Sequence, residues 1–275
     1  MLTSLEVYNP SGESLNLPIA SISSGYGVAD IVGLDPVKAT LVSSSFALQD
    51  GAQFQASRRD NRNIVITLSF EPDFVSTNIE GLRAQLYKYF MTEQAITLNF
   101  IQSTGPTVTI TGVVEAFDAP RFAKDIKSTI SILCFKPDFI DPTERTFTGA
   151  TTSSTSDTAL TYNGTVETGF IFTLTVGRAL TGFTIWASRP GSPAESLLVD
   201  GVSLVAGDVV TISTVTGNKY AKMLRGAAET NILNQVSPFS SWLNLFAGAN
   251  SVRVQTAAGT SMAYTIKYTE KYGGL

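Results

Sequence analysis

The chain has 275 residues, one cysteine, no histidine and a formal net charge of −4, with 15% of its residues charged. That length fits one or two domains. The counts exclude an intrachain disulfide, a cysteine-based zinc site and any Ser-His-Asp or Cys-His nucleophile, and with no basic run longer than Arg58-Arg59 the footprint of a sequence-reading nucleic-acid binder is missing.

Charge is uneven along the chain: residues 1–143 hold 10 Lys and Arg against 15 Asp and Glu, residues 144–275 hold 9 against 8. Low charge with abundant Ser, Thr and Gly suits a β-rich protein whose surface is largely taken up by partners. The opening Met1-Leu2-Thr3-Ser4-Leu5-Glu6 lacks a basic n-region and a long apolar segment, and no stretch approaches ~18 uninterrupted apolar residues. Neither a signal peptide nor a membrane span is expected, and the chain is expected to stay in a cytosol or in particles assembled there.

Residues 2–8 and 14–23 read as strands joined by the turn Asn9-Pro10-Ser11-Gly12. Gly25-Tyr26-Gly27 and Gly33-Leu34-Asp35-Pro36 read as open loop; two glycines around a tyrosine lack the helix and the further glycine or lysine of a phosphate loop. Lys38 to Val42 begins another strand, and Ala47 to Arg62, with Asp50-Gly51, reads as exposed and irregular. In residues 63–70, Ile64, Ile66, Leu68 and Phe70 alternate with smaller or more polar residues, and Ile96-Thr97-Leu98-Asn99-Phe100 repeats the period of two. Between these strands lies the stretch that organises the chain, Thr77 to Met91. Thr77 with Glu80 three residues on forms a capping box. Ile79, Leu82, Leu86, Tyr89 and Phe90 recur at helical spacing, and Glu80, Arg83, Gln85 and Lys88 lie mostly off that face. The spacing predicts a helix laid across a sheet. Residues 106–120 and 125–136 read as long strands; in the second, Ile126, Ile130, Ile132 and Cys134 share a face, which makes Cys134 a small core hydrophobe. Ser69-Phe70-Glu71-Pro72-Asp73-Phe74 and Cys134-Phe135-Lys136-Pro137-Asp138-Phe139 echo each other as strand stops, because proline does not extend a ladder.

After Asp141-Pro142 the composition changes. Thr148 to Thr158 is nearly all Thr, Ser, Ala and Gly, a linker or the first edge strand of a second unit. Short strands follow at 169–176, 182–188, 196–199, 208–215, 220–224, 251–256 and 262–268, punctuated by Asp200-Gly201, Gly217-Asn218 and Ala258-Gly259 as hairpin turns. Repeated short strands without a helical period predict a β-sandwich. Asn231 to Phe246 is less regular, with room for one helical turn.

Little in the chain points to chemistry. Carboxylate pairs capable of glycoside hydrolysis are Glu115 with Asp118 and Asp138 with Asp141, but each flanks a strand end, where solvated acids are expected. No carboxylate run has the spacing of a calcium loop. Arg58, Arg59 and Arg62 around Asp60 make a small basic knot, either solvated or paired with Asp50 and Asp60, or a subunit contact; no aromatic platform accompanies it for nucleic acid. Trp186 and Trp242 are candidates for a carbohydrate platform, although Trp186 sits in an alternating strand and reads first as core. Asn163-Gly164-Thr165 fits a glycosylation sequon and reads as a turn. No catalytic, cofactor-binding or metal-ligating residue is assigned, and no cofactor is expected.

Gly33-Leu34-Asp35-Pro36-Val37-Lys38-Ala39, Leu48-Gln49-Asp50-Gly51-Ala52, Arg62-Asn63-Ile64-Val65-Ile66, Leu86-Tyr87-Lys88-Tyr89-Phe90 and Gly112-Val113-Val114-Glu115, followed by Lys136-Pro137-Asp138-Phe139, resemble in that order the N-terminal domain of siphophage distal tail proteins over residues 1–143. Gly164-Thr165-Val166-Glu167-Thr168-Gly169-Phe170 and residues 242–250 resemble, more loosely, the galectin-like C-terminal sandwich of the same family over residues 144–275. The resemblance implies a mainly β chain: a tail-tube-like split β-barrel or sandwich with one flanking α-helix, then a galectin-like β-sandwich. It implies a structural role at the virion tail tip, as a homohexameric ring that joins the major tail tube protein to a tail-tip hub protein and its receptor-binding or fibre proteins. DNA would pass its channel without sequence-specific binding. The histidine and arginine that lead sugar contacts in true galectins have no match here. The alternative function is a carbohydrate- or host-surface-binding module acting through Trp186 or Trp242, and a carboxylate-based hydrolase is a third, unsupported class.

Overall fold

Alternating strands dominate the computed structural model, which describes residues 1–47, 50–73, 75, 78–121 and 126–275. The chain divides into two compact units, Met1–Pro142 with Tyr272–Leu275, and Thr143–Lys271. It is mainly β, with a single α-helix among the described residues, and no helix is long and apolar enough to cross a membrane.

The first unit comprises β1 (Leu2–Tyr8), β2 (Ser14–Pro18), β3 (Tyr26–Val32), β4 (Ala39–Ser44), β5 (Gln53–Arg59), β6 (Arg62–Phe70), α1 (Ile79–Tyr87), β7 (Ala95–Gln102), β8 (Val108–Asp118), β9 (Lys127–Cys134) and β10 (Phe139–Ile140). Its antiparallel sheet runs β2-β1-β7-β8-β9-β6-β3, with β10 beside β8, and curls into a half-barrel. The period of two does this work. Ile64, Ile66, Leu68 and Phe70 of β6, Ile96, Leu98 and Phe100 of β7, and Ile130, Ile132 and Cys134 of β9 all point to one core. The opposite face carries Glu6, Thr67, Thr97, Asn99, Thr109, Thr111 and Ser131; Lys127, at the start of β9, is the one cation among the described strand residues on it.

Helix α1 lies on the core through Leu82 and Leu86, followed by Phe90, each at most 2% exposed. At ~1.5–3 kcal/mol apiece these three side chains anchor the helix. Its limits differ from the expected Thr77 to Met91. Asn78 is the N-cap, its side-chain oxygen accepting from Gly81 N at 2.7 Å, whereas Thr77 lies outside the described residues. Arg83, expected off the apolar face, is buried. Three further corrections concern strands. Gly25-Tyr26-Gly27 is no open loop: Tyr26 opens β3, is 1% exposed, and its hydroxyl donates to Leu82 O at 2.6 Å. Burial pushes that phenol well above its usual range, the neighbouring Tyr89 adding to the rise. Gly25 there has φ +82, which residues with a Cβ rarely adopt, and a Cβ on it would also stand 2.7 Å from Leu82 Cδ2, so glycine suits the turn beneath α1. The stretch expected to be irregular contains β5, exposed throughout, while Arg62, expected in that exposed stretch, starts a buried strand. The predicted strand 14–23 ends at Pro18.

The second unit is a sandwich. Its strands are β11 (Arg145–Ala150), β12 (Thr158–Tyr162), β13 (Ile171–Thr175), β14 (Leu180–Ser188), β15 (Glu195–Leu204), β16 (Val209–Ser213), β17 (Tyr220–Arg225), β18 (Ala228–Asn231), β19 (Gly248–Gln255) and β20 (Ala263–Tyr268). A six-stranded sheet, β11-β20-β13-β16-β17-β18, faces a four-stranded one, β12-β19-β14-β15, across a core that includes Phe172, Phe183, Ile185, Val210, Val254 and Ile266. Of the Thr- and Ser-rich stretch, residues 148–150 end edge strand β11 and Thr158 opens β12, with irregular chain between, and Leu233–Gln235 forms the single helical turn, a 3₁₀ one, among the described residues. Asp200-Gly201, expected as a hairpin turn, lies inside β15. Gly201 there has φ +69, and the ladder with β14 shifts register between Leu180 and Gly182, so a bulge absorbs the glycine. The turn that reverses the chain falls at Gly207 instead, where Asp208, 1% exposed, accepts from Val205 N and from Arg225 Nε and Nη2, all three at 2.7–2.8 Å. The Arg225 hydrogen bond holds the Asp208 carboxyl down to about 2, against a burial effect that raises it.

Candidate assembly surfaces

The three arginines of the basic knot have three different fates. Arg62 is 2% exposed and forms a clamp: Nε donates to Pro137 O at 2.7 Å, Nη1 to Gly33 O at 2.5 Å and Asp35 O at 2.7 Å, and Nη2 to Gly273 O at 2.6 Å. Its Cζ stands 4.3 Å over the Phe139 ring. One guanidinium therefore ties two loops and the C-terminal segment to β6, and Leu275 N adds a bond to Leu34 O. Burial lowers the Arg62 pKa, with Cys134 and Asp138 acting to raise it. Arg59 makes a two-pronged ion pair with Asp138, and Asp60 accepts from Thr40 Oγ1, so the expected pairing of the knot with Asp50 and Asp60 is not what forms. Arg58 stands exposed on β5.

Arg58 and Arg59 belong to the hairpin β4–β5, which among the described residues is a two-stranded sheet of its own. All of β5 is exposed, and Leu41, Val42 and Phe54 are 67%, 50% and 61% exposed. An isolated hairpin of this kind has no core of its own. Apolar side chains set out on it mark an interaction surface. A second apolar concavity, about 510 Å³, lies over β8 between Ile110, Val113, Phe135 and Ile140. A concavity of similar size but mixed lining, with Glu80, Arg83 and Arg121 beside Ile79 and Tyr87, runs along the outer side of α1.

The carboxylate pairs are taken up structurally. Glu115 accepts from Ser131 Oγ at 2.9 Å, Asp118 is an exposed residue at the end of β8, Asp138 holds Arg59, and Asp141 is 2% exposed. Among the described residues no cluster of three acids or cysteine stands close enough to hold a metal ion. Cys134 is fully buried, and burial pushes its thiol up to about 11 against the lowering influence of Arg62. The Asn163 amide donates to Glu270 at 3.1 Å.

Trp186 is not a core residue. Phe183, Ile185 and Ala187 take the inward positions of β14, which turns Trp186 to the outer face, where the cross-strand Arg253 lies 5.2 Å over its ring. Its indole N–H is enclosed without a hydrogen-bond partner. Trp242 packs against the core with Lys219 5.3 Å over its ring.

Residues 163–272 match the family model described as siphovirus-type tail component, C-terminal domain. No curated protein sequence matches the chain. Among solved structures, the chain is similar in fold to the Dit protein of phage SPP1, described as a paradigm of the hub adsorption apparatus in phages that infect Gram-positive bacteria. The TM-score is 0.67 at 16% identity, over 97% of this chain and 98% of that one. It is also similar to a chain of the phage P2 baseplate in its activated conformation with calcium, with a TM-score of 0.50 and 8% identity over 100% of both. At these identities the likeness is one of fold. The resemblance to siphophage distal tail proteins is thus supported: residues 163–272 match the siphovirus-type tail component C-terminal domain, and the chain is similar in fold to the SPP1 Dit protein over 97% of its length.

Proposed function

We propose that this chain is a non-catalytic structural component of a siphophage tail tip, six copies closing into a ring between the tail tube and the distal hub. The observation that carries the reading is the β4–β5 hairpin. Seven consecutive exposed residues of β5, with Leu41, Val42 and Phe54 in the open, make a segment that gains a core only by meeting another surface. A sheet whose path ends at β2 on one side and β3 on the other also supports contacts between unlike edges, the heterologous kind that closes rings. In this reading the domain read as residues 1–143 forms the ring and the domain read as residues 144–275 is a galectin-like sandwich for tail-tip partners. The hydroxyl-, amide- and carboxylate-bearing sheet face suits a channel wall, because a surface poor in cations gives phosphate little to hold. Sedimentation and native mass measurement of the full chain are expected to give a hexamer, with no retardation of DNA in a gel at moderate salt. A chain that stays monomeric at high concentration and is missing from assembled particles overturns the reading.

A second reading, a carbohydrate- or host-surface-binding module, is favoured by the outward position of Trp186. Its ring is covered by Arg253 and its N–H is shut away, which leaves a poor stacking platform. Glycan affinity lost in Trp186→Ala would favour it over the ring.

A further inference from the structure

The outward stripe of α1 holds a cation that the chain itself leaves unanswered. Ile79, Arg83 and Tyr87 recur at every fourth position, and with Glu80, Ala84 and Arg121 they line a groove of about 510 Å³. Arg83 is 7% exposed, yet among the described residues its guanidinium makes one hydrogen bond, from Nη2 to Pro120 O at 3.1 Å, and its Nε is enclosed with no acceptor. Glu80 stands three positions back, a spacing at which helix side chains pair, but it is exposed. Among the described residues Glu80, Arg83 and Arg121 form no ion pair. A guanidinium taken out of water is stable only with its charge and donors answered, and its planar fork fits two oxygens carried on one centre.

The lining also selects the ligand. Two arginines against one glutamate leave a single positive charge in excess, which answers one carboxylate and is a poor match for a phosphate monoester or a polyanion. The rest of the wall is apolar: Ile79, Ala84 and the Tyr87 ring, which packs edge-to-face on Phe117 with centroids 5.2 Å apart and is therefore set in place before a ligand arrives. The volume is that of a small-molecule site. We infer that this groove binds a monocarboxylate carried on an apolar body, with its two oxygens on the Arg83 fork, Arg121 beside the charge and the apolar part against Ile79, Ala84 and Tyr87. A free aromatic or branched acid has this chemistry, and so does the last residue of a polypeptide when its side chain is apolar. All six lining residues belong to one copy of the chain, so the site does not depend on the ring.

Calorimetric titration of the full chain with 3-phenylpropionate tests the site, with 3-phenylpropionamide and inorganic phosphate as controls. The acid is expected to bind at least about ten-fold more tightly than either control. Arg83→Met is expected to erase the preference for acid over amide while the ligand-free first unit melts no lower than the parent, because methionine removes an unanswered buried charge; an Arg83 with a merely structural role would lower that melt. Glu80 and Arg121 are exposed, so Arg121→Ala and Glu80→Gln are expected to keep the fold, the first weakening the acid and the second strengthening it by about three-fold each. Acetyl-Gly-Gly-Phe, with its C-terminus free or amidated, separates the two sources: a free form that binds more tightly than 3-phenylpropionate assigns the site to a chain end, and a weaker one assigns it to a small acid. Equal binding of acid and amide, tighter binding of phosphate, or an Arg83→Met chain that keeps the preference overturns the site. Should Arg83→Met melt lower than the parent, the other two variants decide, and affinities equal to the parent's in both overturn it.

Discussion

Replacing Arg62 with methionine is expected to loosen the first unit and leave the second intact. Methionine fills much of the same space but donates nothing, so the carbonyls of Pro137, Gly33, Asp35 and Gly273 lose their donors at once. Hydrogen bonds from a charged donor are worth more than neutral ones, but a buried guanidinium also costs desolvation that methionine avoids. Taking ~1 kcal/mol net for each of the four, the loss is about 4 kcal/mol. For a unit of this size that lowers the melting temperature by roughly 8–16 °C. The chain contains its own pair of probes: Trp186 and Trp242 report on the second unit, and the sole cysteine, Cys134, is buried in the first. Thiol labelling of Cys134 through opening of the first unit is expected to accelerate about 10³-fold, a factor of ten for each ~1.4 kcal/mol, while the tryptophan transition stays at the parent temperature. The Arg62 charge lowers the Cys134 pKa. Its removal makes the folded-state thiol less reactive, so faster labelling reports opening. Labelling at the parent rate, with an unchanged melt of the first unit, refutes the account of Arg62 as a clamp.

Leu82→Asp buries a carboxylate where α1 meets Gly25 and the sheet, and is expected to cost at least about 3 kcal/mol of first-unit stability; an unchanged thermal transition would show the helix packing to be misread. Asp208 links the second unit to pH. Its carboxyl is held down to about 2 from an ordinary 3.8, so its stabilising effect is fully present above about pH 4 and fades as the pH falls toward 2. Tryptophan-monitored melting is expected to drop over that window in the parent, and Asp208→Asn to flatten the drop. Equal slopes in the two proteins would remove Asp208 as the source.

Repeating side chains made the secondary structure legible. The alternation of Ile64, Ile66, Leu68 and Phe70, the helical spacing of Leu82, Leu86 and Phe90, and the short strands beyond Thr158 all carry their period in the sequence, because a strand or helix buries one face and that face recurs in the chain. The missing histidine and the lone cysteine bounded the chemistry equally early, since composition survives folding unchanged. What the chain order hid was parity and partnership. Trp186 is the one large side chain on its face of β14, and only packing against the opposite sheet put Phe183 and Ile185 inside and Trp186 outside. β5 has no apolar alternation because it buries nothing in its own unit. Arg62 read, with Arg58 and Arg59, as solvated, paired with Asp50 and Asp60, or at a subunit contact, but it is answered by a carbonyl 211 positions away, at Gly273. A guanidinium is indifferent to sequence distance and sensitive only to which oxygens surround it, and that is decided when the loops and the C-terminal segment come together in space.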